Sequence, residues 1–222
     1  MGKRFITLGI VILIASIVIK SAYVGFKSIK VDDFHPAAVI FAIDISASNQ
    51  KDLYKQKNFI NAFCKVMDPE DQVKIISISQ DAFLIYEGSP QNASGIRKSM
   101  DKYTQLEASA WGTGYGVAIK KAMQHALTMQ REGYIPAVVI IGDLENEGDV
   151  KGQLNWNTLP KNIAAVKKYC PELSMSFLYA DPKKLDFVKG KLNPVLGEDK
   201  LLIATDEMMD KANRGIMSAM GR

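Results

Sequence analysis

Cysteine and histidine are scarce, two of each in 222 residues. Cys64 and Cys170 stand far apart with no CxxC spacing, which excludes a paired zinc knuckle and a dense disulfide framework. A single bridge between them stays open. His35 and His125 have no Cys or His neighbour at ligand spacing, so they read as solvent or packing residues, and no Ser-His-Asp arrangement is supported. Charge of one sign is also lacking once it is located. Residues 1–30 hold five of the 28 bases and no acid, leaving 23 bases against 24 acids in the remainder. A body so nearly neutral has no global basic excess to displace counterions from phosphates, and no nucleic acid is expected as a partner.

Long apolar runs occur once. Phe5 to Ile19 (FITLGIVILIASIVI) carries no charge, follows Lys3-Arg4, and precedes Lys20 and a second apolar stretch with Tyr23, Val24 and Phe26. Fifteen residues rise only about 22 Å, but extension to Phe26 with Lys20 snorkelling reaches across a hydrocarbon core of about 30 Å. Residues 1–30 are therefore expected to be a transmembrane anchor. The competing cleaved signal peptide fits less well, because cleavage after Ala22 puts Lys20 where a small residue is wanted. Basic residues flank the segment on both sides almost equally, and the body is expected outside the cytoplasm.

Residues 31–36 (VDDFHP) form a linker, and 37–222 one domain. Ala37 to Ile43 (AAVIFAI) has the near-continuous apolar pattern of a strand buried on both faces. Similar strands are predicted at Val73–Ser79, Ala137–Ile141, Leu173–Ala180 and Leu201–Thr205, with Ala82–Tyr86 as an antiparallel neighbour. Leu53, Ile60, Phe63 and Met67 share one helical face, and Val117, Ala118, Ala122, Ala126 and Met129 another. Further helices are predicted at Ile96–Tyr103, Thr158–Tyr169, Lys184–Leu192 and Glu207–Met220. The order β, α, β, β, α, α, β, α, β, α, β, α implies an α/β fold: an open, mostly parallel, doubly wound sheet flanked by helices.

In such sheets ligands sit beyond the carboxyl ends of the strands. There the sequence places Asp44-Ile45-Ser46-Ala47-Ser48 after the first strand, Gly112-Thr113-Gly114-Tyr115-Gly116 at a helix start, and Asp143 after AVVIIG. Two carboxylates and three hydroxyls are all oxygen donors, the set hard cations prefer.

These three motifs, in order, resemble those of a von Willebrand factor A domain, the integrin I-like fold with its metal-ion-dependent adhesion site. D-x-S-x-S appears as Asp44, Ser46 and Ser48, the separate threonine as Thr113, and the last aspartate as Asp143 in VVIIGDLENEG. Gly142 stands where many relatives have Thr, and Leu144 where Gly is common. The resemblance implies that Ser46 and Ser48 coordinate the ion directly, that Thr113 joins mainly in the ligand-bound state, and that Asp44 and Asp143 act partly through water. It implies Mg²⁺, with Mn²⁺ and Ca²⁺ also acceptable to oxygen donors, and an open position completed by an Asp or Glu of a protein partner. The expected function is thus a membrane-tethered, divalent-cation-dependent protein-binding domain with no enzymatic activity.

Two alternatives remain. One is a structural subunit of an envelope, secretion or conjugation assembly with weak or no metal binding. The other is a Mg²⁺-dependent phosphatase-like enzyme with Asp44 as nucleophile, although the acid two positions on that such enzymes want is here Ser46. Singly, Asp44, Ser46 and Ser48 also suit turns and helix caps. The glycines at 112–116 follow no strand directly, which argues against a nucleotide loop. Trp111 and Tyr115 offer either a rim for a partner or local packing. Glu145, Glu147 and Asp149 read as a solvated acidic loop, and Cys64 as a core residue.

Overall fold

The computed structural model describes residues 35–46, 49–106, 113–145 and 152–222. The expected membrane segment, Ser48, Trp111, Gly112, Glu147 and Asp149 lie outside them. Among the described residues no helix is long and apolar enough to cross a membrane.

The apolar run that follows the linker becomes strand β1 (Ala37–Asp44), buried along its whole length. Its residues alternate between two cores: Ile40 and Ala42 face one, Val39, Phe41 and Ile43 the other. Five further strands complete the sheet: β2 (Gln72–Ile78), β3 (Ala82–Gly88), β4 (Ile135–Ile141), β5 (Ser174–Leu178) and β6 (Leu201–Ala204). They lie in the order β3-β2-β1-β4-β5-β6. All neighbours are parallel except β3, which runs antiparallel to β2 through a short connection. Register sets Asp44 opposite Ile78 of β2 and Ile43 opposite Ile141 of β4, so three strands end at nearly one level.

Among the described residues six α-helices form the outer layers. Helices α1 (Leu53–Cys64), α2 (Ala93–Leu106) and α6 (Met209–Ala219) bury residues such as Phe63, Ile96 and Ile216 against one face. Helices α3 (Tyr115–Arg131), α4 (Leu159–Lys167) and α5 (Leu185–Leu196) bury Ile119, Ile163 and Leu192 against the other. Cys64 lies in the core that holds Phe63 and Cys170 in the core that holds Ile163. With the sheet between them, both thiols are free, and burial pushes them up to about 12 and about 11.

The predicted element order holds, and the differences are at the ends. The helix expected to stop at Leu192 runs to Leu196, through Pro194. Val188, Leu192 and Leu196 recur on its buried face, and Gly190, four residues before the proline and the position whose carbonyl its ring would crowd, is exposed with open space beside it. The helix expected from Glu207 opens instead with a 3₁₀ turn, Asp206–Met208, before α6.

Candidate metal centre

From β1 the chain goes on to β2, and from β4 to β5 on the opposite side, so the carboxyl ends of these two neighbours bound the switch-point crevice. Asp44 is the last residue of β1, and Asp143 lies two residues beyond β4. Each closes a local turn of the same kind. Asp44 Oδ1 accepts from the Ser46 amide at 2.9 Å and Asp143 Oδ1 from the Glu145 amide at 2.8 Å. Asn49 secures the first turn by donating to the Asp44 carbonyl at 2.6 Å, with its amide paired to Gln56 of α1.

The third contribution comes from the segment entering α3. The Gly114 amide donates to the Ser79 carbonyl at 2.7 Å, which holds this segment against the end of β2. Thr113 is thereby buried, and its hydroxyl has no hydrogen-bond partner among the described residues. Such an orphan costs about 1–3 kcal/mol. Asp44 is 1 % exposed. Burial raises its carboxyl above the ordinary range against the lowering effect of hydrogen bonds from Tyr115 and Ser46, and the nearby Asp143 raises it further. No Lys or Arg pairs with either aspartate among the described residues.

Sequence reasoning did not find the role of Tyr115. Rather than forming a rim it is fully buried, and its phenol donates to Asp44 Oδ2 at 2.6 Å and lies 3.5 Å from Asp143 Oδ1. Burial, and then the Asp44 charge, push the phenol well above its ordinary range, so it stays a donor. Both departures from the family pattern acquire a physical reason here. A Cβ on Gly142 would fall 2.1 Å from the Tyr115 hydroxyl. Leu144 takes φ +63°, the left-handed conformation glycine adopts freely, with its side chain buried.

The Tyr115 phenol thus brings together Asp44, with the Ser46 amide bonded to it, and Asp143, and Thr113 stands two residues before that tyrosine; Ser48 lies outside the described residues. Two carboxylates without a counter-cation and a buried, unpartnered hydroxyl fit a hard divalent ion held by oxygen. Among the described residues no group of three or more His, Cys, Asp or Glu could hold a metal ion. Beside Asp143 opens a cleft of about 540 Å³ lined by Lys51, Asp52, Tyr179, Asp181, Thr205 and Asp206.

Residues 39–146 match the von Willebrand factor type A domain. Among solved structures, BatB from Bacteroides thetaiotaomicron is similar, with 17% identity, a TM-score of 0.57 and coverage of 84% of this chain and 100% of that one. The pilus adhesin SpaC from Lactobacillus rhamnosus GG is similar at 11% identity and a TM-score of 0.61, over 85% of this chain and 30% of its own. Proximal thread matrix protein 1 of the mussel byssus, in a form whose MIDAS motif is occupied by zinc, gives 12% identity, a TM-score of 0.54, and 83% and 47% coverage. No curated protein matches the chain. The described body therefore has the von Willebrand factor A fold.

Proposed function

We propose that this chain is a divalent-cation-dependent protein-binding domain that recruits an acidic side chain of a partner protein, makes and breaks no bond, and is tethered to a membrane by residues 1–30 with its body outside the cytoplasm. The observation that carries the reading is the pair of neighbouring aspartates, Asp44 and Asp143, with no cation paired to them among the described residues, together with a buried, unpartnered hydroxyl on Thr113, two residues before the Tyr115 that touches both. Bound there, Mg²⁺ would supply a Lewis-acidic position for a carboxylate from outside. Asp44, Ser46, Ser48, Thr113 and Asp143 would hold it. Their negative charge is limited to two carboxylates, which leaves the ion attractive to a third. The fold likeness to a pilus adhesin and to a protein with a zinc-occupied motif supports this reading. The uncharged run Phe5 to Ile19 supports the tether.

Calorimetric titration of Mg²⁺ and Mn²⁺ into the full chain in mild detergent, wild type beside Asp143→Ala, tests the reading. Saturable binding abolished by the substitution is expected. No binding to wild type would leave the fold standing and turn the assignment to a structural subunit, whereas Mg²⁺-dependent turnover of a phosphate ester would make the protein an enzyme. Resistance of the chain to carbonate extraction from membranes, lost when residues 1–30 are deleted, tests the tether.

A further inference from the structure

Gly142 and Tyr115 occupy one volume between them. The glycine has no side chain, and the phenolic hydroxyl fills the place its Cβ would take, 2.1 Å away. From that place the hydroxyl meets Asp44 Oδ2 at 2.6 Å, at the end of β1, and lies 3.5 Å from Asp143 Oδ1, beyond β4. Tyr115 itself stands in the first turn of α3, two residues after Thr113. One buried side chain therefore touches the two carboxylates and belongs to the helix that carries the third contribution. Asp44 is then held at both oxygens, Oδ1 by the Ser46 amide and Oδ2 by the phenol. The ring's position is fixed in turn by its flanking glycines. A Cβ at Gly114 would sit tightly at 3.0 and 3.3 Å from the Gln80 and Ser79 carbonyls, and one at Gly116 would collide with those of Gln153 and Gly152 at 2.5 and 2.6 Å.

We infer that Tyr115 is the positioning residue of the metal centre: its hydroxyl fills, from a different element, the space a side chain at position 142 would take, and it fixes the Asp44 carboxylate while tying α3 to the ends of β1 and β4. The inference rests on the proposed metal site. Outer partners of ligating carboxylates set ligand orientation, and losing one typically weakens metal binding about 10–100-fold. Other buried tyrosine hydroxyls serve as a contrast. That of Tyr86 on β3 donates to the Ser89 carbonyl at 2.8 Å and makes no contact with the site.

The test is Mn²⁺ affinity, read from the free-ion signal in electron paramagnetic resonance, of the full chain in mild detergent. Wild type is compared with Tyr115→Phe, Gly142→Ala and the control Tyr86→Phe, each checked for native circular dichroism. Tyr115→Phe removes only the hydroxyl, and Gly142→Ala, whose Cβ would also meet Asp44 Cβ at 2.9 Å on a backbone of φ +155°, displaces it while leaving the phenol in the chain. Both are expected to bind Mn²⁺ at least about tenfold more weakly, with Tyr86→Phe unchanged. Should either site variant fail to fold, the other decides. Wild-type binding with Tyr115→Phe or Gly142→Ala within twofold of it overturns the role of Tyr115 and leaves the metal site standing. Equal weakening in Tyr86→Phe also overturns it, since the loss would then follow general destabilisation. Absence of Mn²⁺ binding in wild type overturns both the site and the inference.

Discussion

Lys184 reaches from the start of α5 to the Leu144 carbonyl, donating at 3.1 Å, and the same ammonium pairs with Glu145 at 2.6 Å. It thereby holds the backbone immediately after Asp143 in a turn whose second residue is left-handed without being glycine. Left-handed geometry costs a side-chain-bearing residue about 1–2 kcal/mol. Burying the leucine offsets that, because deleting a buried Leu side chain costs about 2–5 kcal/mol. Both Leu144→Gly and Leu144→Ala should therefore destabilise the protein in urea unfolding, but in an inverted order. Ordinarily glycine is the worse of the two by about 0.5–1 kcal/mol. Here only Leu144→Gly relieves the backbone, so Leu144→Ala is expected to be less stable, and the usual order would refute the strain.

Gly116 and Gly190 both lie inside helices, where alanine normally gains about 0.5–1 kcal/mol over glycine. Their surroundings are opposite. A Cβ at Gly116 would meet the Gln153 and Gly152 carbonyl oxygens at 2.5 and 2.6 Å, while one at Gly190 meets nothing within 4 Å. The Val117 amide donates to the Gly152 carbonyl at 3.1 Å, so this backbone cannot retreat without losing a bond. Thermal melts should show Gly190→Ala stabilised and Gly116→Ala destabilised by about 1–3 kcal/mol. Equal shifts in the two variants would contradict the close packing of α3 on residues 152–153.

Much of this fold was legible in local pattern. The run AAVIFAI has the pattern of a strand buried on both faces, which β1 is, and the alternation of strand and helix implied the mostly parallel sheet at whose carboxyl edge Asp44 and Asp143 lie. Helix ends were read less well, because Pro194 is a local stop signal that the buried Val188, Leu192 and Leu196 face overrides. Tyr115 was legible only as a choice between rim and packing. Its burial depends on Gly142, a residue far along the chain on another element, and periodicity carries no information on such a pairing. The separation of Cys64 from Cys170 likewise belongs to the sheet and not to any spacing.

Asp44 gives the metal-free protein a definite pH dependence. Burial raises its folded carboxyl above the unfolded value of 3.8. A raised carboxyl binds its proton more tightly in the folded state, so its contribution to stability is complete below 3.8 and is lost as pH rises through the folded value. Asp44→Asn removes that one loss while keeping an oxygen for the Ser46 amide. In chelator, the stability of Asp44→Asn relative to wild type should therefore increase from acid to neutral pH, measured by urea unfolding at each pH. A difference that stays flat or declines would show the carboxylate to be compensated without metal.

Thr113→Val gives the sharpest separation of fold from function, because it removes a hydroxyl without changing shape. In the metal-free protein that hydroxyl is buried without a partner and costs about 1–3 kcal/mol, so the variant should melt higher than wild type in chelator. Saturating Mg²⁺ stabilises whatever binds it by mass action, and a site lacking one oxygen donor should gain less. Two differences are therefore expected: Thr113→Val is the more stable in chelator, and its rise in melting temperature on adding Mg²⁺ is the smaller. A Thr113→Val variant less stable than wild type in chelator would mean that the hydroxyl has a partner within the fold, and a Mg²⁺ response equal to that of wild type would remove Thr113 from the ligand set.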